Sequence, residues 1–375
     1  MSGLLYSNAN ANIPTIKVKI ASSLKSINIH GQNLKRHLVE TGRKKDLPGK
    51  SSIAFNCSKV AWKNWKKRPQ IFAVIEAEKN VLQWEGHKYL GKIQVQTAEN
   101  YKGCDLVNEI DVEEYISMVL PKEMNASWPI EALKAQAIAA RSYALYKIRN
   151  NFVTKVKGYN THYDLENSEK HQVNGNYSDI TPKTIQASKE TRGEILINGK
   201  EEKLPIFFHS KCGGHTFLPE EVWSNPVTGY EKVQCPYCYG HGLKNWKLSL
   251  KDHTFMNYYK KALNRYQGKA LTNNSKGYRL FKNNEYDPIV KLYGGPQKVY
   301  SVKKSRLRST LTRKNLPSNN FKIKIGKETI NIEGAGFGHG VGLCQFGAKE
   351  MALRGYSYKE ILKHYFPKLK ISKVY

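Results

Sequence analysis

The stretch that most constrains the fold is residues 111–145, DVEEYISMVLPKEMNASWPIEALKAQAIAARSYAL. After Pro129, Ala132, Ala135, Ala137, Ala139, Ala140 and Ala144 predict a helix that is strong by propensity and thin by volume. Proline suits a first helical turn, where its missing N–H costs nothing; Ser127 or Trp128 is then the cap. A thin helix lets a strand or loop come close. Lys134 and Arg141 are seven residues apart, hence near one face, and Gln136 is another polar group on this small-residue surface. Just before the helix, Glu123 sits in a short Pro-Lys-Glu-Met turn with Pro121 and Met124 as apolar neighbours. The pattern points to a cleft acid held against a tightly packed helix with cationic neighbours. Burial favours the protonated carboxyl that a general acid needs. Lys134 or Arg141 nearby would stabilise the anion once the proton is given. The alternative is an exposed glutamate at a helix start, favoured by the helix dipole.

The rest of the chain reads as α+β, with mixed sheets, a few helices and a β-rich N-terminal part. Residues 14–100 read mostly as short strands: TIKVKIA from Thr15 alternates apolar and polar residues, residues 71–77 and 92–95 are similar, and Glu85-Gly86 marks a turn. Residues 43–51 read as a basic loop and 150–180 as a polar loop. TPKTIQASKET from Thr181 predicts a helix with Pro182 at its start. Residues 193–197 and 204–209 predict strands, the second apolar enough to be central. Residues 240–330, rich in Lys and Asn, read as an insertion of strands and loops with a turn at Pro317. Near the end, glycine alternates with other residues from Gly334 to Gly342, and Gln345 opens a helix to about Leu353 that Gly355 can terminate. Ser357 and Glu360 match a capping box before a last helix. These features divide the chain into a β-rich region, 1–80, and a core, 81–375, that carries the insertion at 240–330.

Sixty-one basic against 31 acidic residues give a formal net charge of +30. Such a field draws polyanions. The basic residues are spread along the whole chain, with no zinc-finger, RRM or helix-turn-helix spacing, so the charge fits a basic solvated surface or an acidic polymer environment better than specific nucleic-acid recognition. No run approaches eighteen apolar residues, and no transmembrane segment is expected. The start, MSGLLYSNANANIP, lacks an export signal's charged and apolar regions, although Ala9-Asn10-Ala11 looks like the small-residue box that follows them.

Several other constellations could carry chemistry. The alternating glycines fit neither G-x-G-x-x-G nor the P-loop pattern; they let the backbone approach a ligand or a neighbouring segment and leave His339 as the one functional side chain, with Gln345 nearby. The alternative is a packed glycine turn with a hydrogen-bonded core histidine. The run His209-Ser210-Lys211-Cys212-Gly213-Gly214-His215, followed by Cys235-Pro-Tyr-Cys238, supplies a structural zinc set of Cys212, Cys235, Cys238 and His215, with His209 as another candidate fourth ligand. Its rival is a disulfide from Cys212 to Cys235 or Cys238. Cys57, Cys104 and Cys344 read as small buried hydrophobes. His162, Asp164, Glu166, His171 and Gln172 read as a polar loop lining a sugar site, or as metal ligands. Neither HExxH nor G-x-S-x-G occurs.

Five ordered blocks, the 111–145 stretch, YDLENSEKHQVNG at 163–175, FFHSKCGGHT at 207–216, GFGHGVGLCQFGAKEMALRG at 336–355 and ILKHYFP near the end, make the chain resemble the SpoIID/LytB family. The resemblance implies a lytic transglycosylase acting on peptidoglycan glycan strands, preferentially those stripped of stem peptides. It places the family's essential glutamate on Glu123 and supporting basic residues on Lys134 and Arg141. Gln172, His209, Ser210, His339 and Gln345 match cleft-lining motifs. The Glu123 turn, the alanine-rich helix and the glycine block are then expected to border one cleft. Some relatives carry a Cys/His zinc site in the 163–175 block, whose cysteines are absent here. The resemblance also implies an exported protein, periplasmic or wall-associated. A further alternative is a non-catalytic wall-binding protein that activates a partner amidase.

Overall fold

The computed structural model describes residues 13–39, 41–58, 71–98, 102–149, 163–167, 175–200, 202–223, 225–238, 245–267, 279–280, 283–293, 299–326 and 328–375. The chain is α+β, as expected, with helices and several mixed sheets. It forms two compact units, Met1–Leu196 with Ile371–Tyr375, and Ile197–Lys370.

In the first unit, alternation of apolar and polar residues builds a seven-stranded sheet, in the order Leu165–Glu166, Thr15–Leu24, Cys104–Asp111, Lys92–Thr97, Ile71–Glu76, Leu34–Leu38 and Lys44–Leu47. This sheet runs across position 80. The strand Lys44–Leu47 falls where a loop was expected. Ile16, Val18, Ile93, Val95 and Leu106 are wholly buried. A four-stranded sheet includes Val81–Trp84 and His87–Leu90, which pair across Glu85-Gly86. Both turn residues have positive φ, 47° and 76°, the backbone that a two-residue hairpin needs. Cys57 and Cys104 are not isolated hydrophobes but a disulfide, 47 residues apart in sequence, that ties the end of one sheet to the other. In the chain-entropy account, closing such a loop contributes about 4 kcal/mol.

Three helices follow that sheet: α1 (Val112–Glu123), α2 (Ile130–Arg149) and α3 (Pro182–Glu190). The Asp111 carboxylate caps α1 by accepting from the N–H groups of Glu113, at 2.7 Å, and Glu114, at 3.3 Å. The expected Pro-Lys-Glu-Met turn is the last turn of this helix, and Pro121 lies inside it. The cap of α2 is neither Ser127 nor Trp128: the Pro129 carbonyl accepts from Ala132 and Leu133. All six alanines of α2 named above are fully buried, so the thin helix does permit packing on most of its circumference. Thr181 caps α3 with Thr184 in a reciprocal box, as the sequence around Pro182 predicts.

The second unit contains α4 (Pro219–Val222), α5 (Asp252–Gln267), α6 (Lys304–Leu311), α7 (Gln345–Leu353) and α8 (Tyr358–Tyr365). Residues 240–330, expected to be strands and loops, also hold the 16-residue α5. Phe255, Tyr259, Leu263, Leu307 and Phe321 build a continuous core there. The apolar run 204–209 is not a central strand. Leu204 and Ile206 are buried, but only Phe208–His209 is strand, paired in parallel with Leu343–Cys344. Gly336, Gly338, Gly340 and Gly342 all have positive φ, as their alternation predicts. A Cβ at Gly336 would lie 2.5 Å from the Lys211 carbonyl and one at Gly342 2.2 Å from that of Phe207, so the glycines let this segment lie directly on residues 207–211. Gly355 terminates α7 and Ser357 with Glu360 caps α8, both as expected.

These glycines differ in their surroundings, which gives a test. Gly342→Ala combines left-handed strain, roughly 1–2 kcal/mol, with a clash against an immobile carbonyl. Gly355, at φ 86°, has open space around it and bears only the strain. Thermal unfolding should show a clearly larger loss for Gly342→Ala than for Gly355→Ala.

Candidate functional site

In the first unit, Glu123 ends α1 and is half-buried. Its charge, after burial, is a cause of the strong upward push on the buried Tyr115 hydroxyl. Gly175 packs so closely on α1 that a Cβ there would meet the Met118 carbonyl at 1.8 Å, which fixes the helix about one turn before Glu123. Other acids of this unit are engaged in ion pairs. Lys122 holds Asp179 at 2.6 Å, and Lys134 holds Glu131 at 2.7 Å and Glu190 at 2.6 Å. Burial alone would lower the Lys134 pKa, but these two carboxylates outweigh it and raise it, so the ammonium is retained.

Gln136 and Arg141 were expected to line a groove. Both are fully buried instead, because α2 is enclosed by packing. Arg141 forms a two-pronged pair with Glu113, Nε to Oε1 at 2.8 Å and Nη2 to Oε2 at 2.7 Å. Its other donors reach the carbonyls of Ser188, at 3.3 Å, and Glu194, at 3.1 Å, and the Thr191 hydroxyl at 3.5 Å. Glu113 also accepts from the Gly193 N–H and from the Ser188 and Tyr375 hydroxyls. Burial would raise the Glu113 pKa; Arg141, Tyr375 and Gly193 together outweigh it and hold it below the ordinary value of 4.5.

Asp164 and Glu166 belong to the sheet edge. Asp164 accepts from the Lys17 N–H at 2.9 Å, and Glu166 pairs with Lys19 at 2.9 Å. His162, His171 and Gln172 lie outside the described residues.

In the second unit the two predicted histidines do meet: the rings of His209 and His339 are 5.5 Å apart. The backbone of Val341 serves both, its carbonyl 3.0 Å from Nδ1 of His209 and its N–H donating to Nδ1 of His339 at 3.1 Å. Burial pushes the His209 pKa down to about 4, and burial with His209 and Arg308 pushes that of His339 well down, so both rings are neutral. His339 also stands against the rings of Trp223, at 5.0 Å, and Phe207, at 6.4 Å. Trp223 is 38% exposed and Phe337 45%, and their rings give this unit an apolar, aromatic surface that the sequence motifs did not single out. The Ser210 carbonyl accepts from Phe346 at 3.0 Å, and Gln345 is buried at the start of α7.

The cysteines gather differently from the expected set. The ligand atoms of Cys212, Cys235, Cys238 and Cys344 all lie within 4.8 Å of one another, and all four residues are buried. His215 is outside this group, packed on Phe217 at 4.7 Å and Tyr286 at 4.5 Å. Cys344 takes the fourth corner because the parallel pairing of 343–344 with 208–209 brings it beside Cys212, whose N–H donates to its sulfur at 3.3 Å.

Glu123 is thus a half-buried carboxyl at the end of α1 on an α+β frame. In comparison with known proteins, residues 100–197 match the SpoIID model, stage II sporulation protein. An uncharacterised protein of Brachyspira hyodysenteriae is 36% identical over 261 residues, covering 70% of this chain and 66% of that protein. The amidase enhancer of Bacillus subtilis is 28% identical over 331 residues, 77% of this chain and 44% of that protein. The stage II sporulation protein D of Bacillus amyloliquefaciens is 29% identical over 277 residues, 71% of this chain and 75% of that protein. The chain belongs to the SpoIID family. It spans just under two thirds of the Brachyspira relative and less than half of the amidase enhancer. The matched residues contain α1, α2, α3 and Glu123, whereas Cys212, Cys235, Cys238 and Cys344 lie outside them.

Removing Arg141 would strand a buried carboxylate. Arg141→Ala should cost about 3–5 kcal/mol in urea unfolding. Because the folded pKa of Glu113 is depressed, the pair's contribution is whole above 4.5 and is lost as pH falls through the folded value. A Glu113→Gln/Arg141→Met double variant should therefore show a flatter stability profile in that acidic window than the wild type.

Proposed function

We propose that the chain is a lytic transglycosylase of peptidoglycan glycan strands, in particular strands without stem peptides, with Glu123 as its single acid and base. The observation that carries this reading is the position of Glu123: half-buried, on the last turn of a helix whose first turn is fixed by the Glu113–Arg141 pair. The C-terminal end of a helix disfavours negative charge, which suits a group that must deliver a proton. Glu123 would protonate the glycosidic oxygen as the C1–O bond breaks. The resulting carboxylate would accept the proton of the muramyl C6 hydroxyl as that oxygen bonds to C1. Every atom is accounted for without water, and the product is a 1,6-anhydromuramyl end. A hydrolase would need a second carboxylate to activate water or to attack the sugar. The intramolecular hydroxyl replaces it, with the advantage of a nucleophile already in reach.

Lys134 would support the anionic state of the site. The net charge of +30 suits an environment of anionic wall polymers. We place the chain outside the cytoplasm, in the periplasm or wall, in a cell-wall role related to sporulation proteins. The Cys57–Cys104 disulfide supports an oxidising compartment. No helix among the described residues is long and apolar enough to cross a membrane.

A second reading has its own support in the similarity to an amidase enhancer: the chain binds the wall and stimulates a partner amidase. Mass spectrometry of products from denuded glycan strands separates the two. Catalysis predicts anhydro ends whose release falls about 10²- to 10⁴-fold in Glu123→Gln, with unchanged thermal unfolding. Equal release by that variant overturns the role of Glu123. No anhydro ends from the wild type, together with stimulation of an added amidase, favours the second reading.

A further inference from the structure

We propose that Cys212, Cys235, Cys238 and Cys344 together hold one zinc ion in a closed structural site. The inference does not rest on the lytic reading. Its first support is geometric. A tetrahedral zinc with bonds of about 2.3 Å sets its sulfurs roughly 3.8 Å apart. Here the Sγ atoms of Cys212 and Cys238 are 3.4 Å apart, and all four lie within 4.8 Å of one another. No cysteine of the four is more than 1% exposed. Sulfur alone, without carboxylate or imidazole, is a soft donor set.

The second support is the shell around the sulfurs. The Gly214 N–H donates to Cys212 at 3.4 Å, and the N–H groups of Cys212 and Gly347 donate to Cys344 at 3.3 and 3.4 Å. The Tyr365 hydroxyl is 3.1 Å from the sulfur of Cys235. Donors aimed at sulfur stabilise thiolates and orient metal ligands. Cys344 is also the N-cap of α7, at the positive end of that helix. Gly347 has no room for a side chain: a Cβ would lie 1.9 Å from the Tyr365 hydroxyl and 2.9 Å from the Cys235 sulfur. The backbone is thus fitted to the sulfurs themselves.

The third support is redox chemistry. Cys57 and Cys104 are already oxidised to a disulfide in this chain. Four convergent thiols in the same compartment would be open to the same oxidation, and one bond among them would leave two sulfurs over. Zinc holds all four as thiolates and has no redox chemistry of its own. With four protein ligands the site has no open position, so its role is to join the 212 loop, the 235–238 turn and the start of α7, which are up to 132 residues apart.

The test is metal analysis of the full chain purified without chelator, followed by X-ray absorption at the zinc edge. We expect one zinc per chain with four sulfur neighbours. Cys344→Ser should lose most of that zinc, and His215→Gln should keep it. Zinc retained by Cys344→Ser and lost by His215→Gln overturns the four-cysteine assignment, as does a nitrogen neighbour in the absorption spectrum. Metal-free protein with a disulfide among these four cysteines, mapped by mass spectrometry, overturns metal binding altogether, and bound iron overturns zinc. If Cys344→Ser fails to fold, the spectrum of the wild type still decides. Chelation of the intact chain should expose four additional thiols to titration and lower its melting temperature.

Discussion

The first unit depends on one buried ion pair. Arg141 has five N–H donors, and each finds an acceptor on Glu113, Ser188, Thr191 or Glu194. Burying two charges is costly, and their attraction offsets that cost only when the geometry is good and the remaining lone pairs are satisfied. Both conditions hold here. The net stabilisation is therefore modest, while the loss on removing either partner is large. What the pair secures is register: it joins the first turn of α1 to the middle of α2, the end of α3 and the strand that follows. Glu123 stands ten residues beyond Glu113 on the same helix, about 15 Å along its axis at 1.5 Å per residue. In the proposed reaction, Glu123 would deliver its proton from this support.

Much of this unit was legible because its signals are local. Proline at a helix start, threonine at a cap and alternating strands depend on neighbours a few residues away, and Thr181, Pro182 and Thr15 stand where the pattern puts them. The run of alanines correctly predicted a thin, closely packed helix. The same run misplaced Arg141: charge in a sequence reads as exposure, and its partner Glu113 lies 28 residues away on another helix. Nothing in local spacing distinguishes an arginine facing a polymer from one enclosed in a core. Glu113 follows a capping aspartate and reads as an ordinary first-turn acid.

The second unit was less legible because its determinants are long-range. The glycines from 336 to 342 do announce positive φ, and the structure shows why each is needed. What they lie against, residues 207–217, is more than 100 residues away. That pairing moves Cys344 out of the class of small buried hydrophobes and next to Cys212. The Cys235-x-x-Cys238 spacing revealed two corners of the cluster. His215 lies three residues after Cys212 in an irregular segment, and that is enough to turn it onto Phe217 and Tyr286. Helix α5 was missed for another reason. Its polar residues outnumber its apolar ones, although Phe255, Met256, Tyr259, Ala262 and Leu263 recur at helical spacing on its buried face.

The two units also divide the chemical possibilities. A four-sulfur site with no open coordination position cannot activate water or polarise a sugar, so a zinc there contributes structure only. The histidines at 209 and 339 are held neutral, with Nδ1 of each engaged on the backbone of Val341, and this favours a role in shaping the glycine segment over one in shuttling protons. In the proposed reaction, proton transfer rests on Glu123. Other acids of the unit are held in ion pairs: Glu113 with Arg141, Asp179 with Lys122, Glu131 and Glu190 with Lys134. A carboxylate committed to an ion pair gives up that pair's stabilisation each time it takes a proton. Chemistry that cycles one proton on and off such a group would have to offset that loss at every turnover.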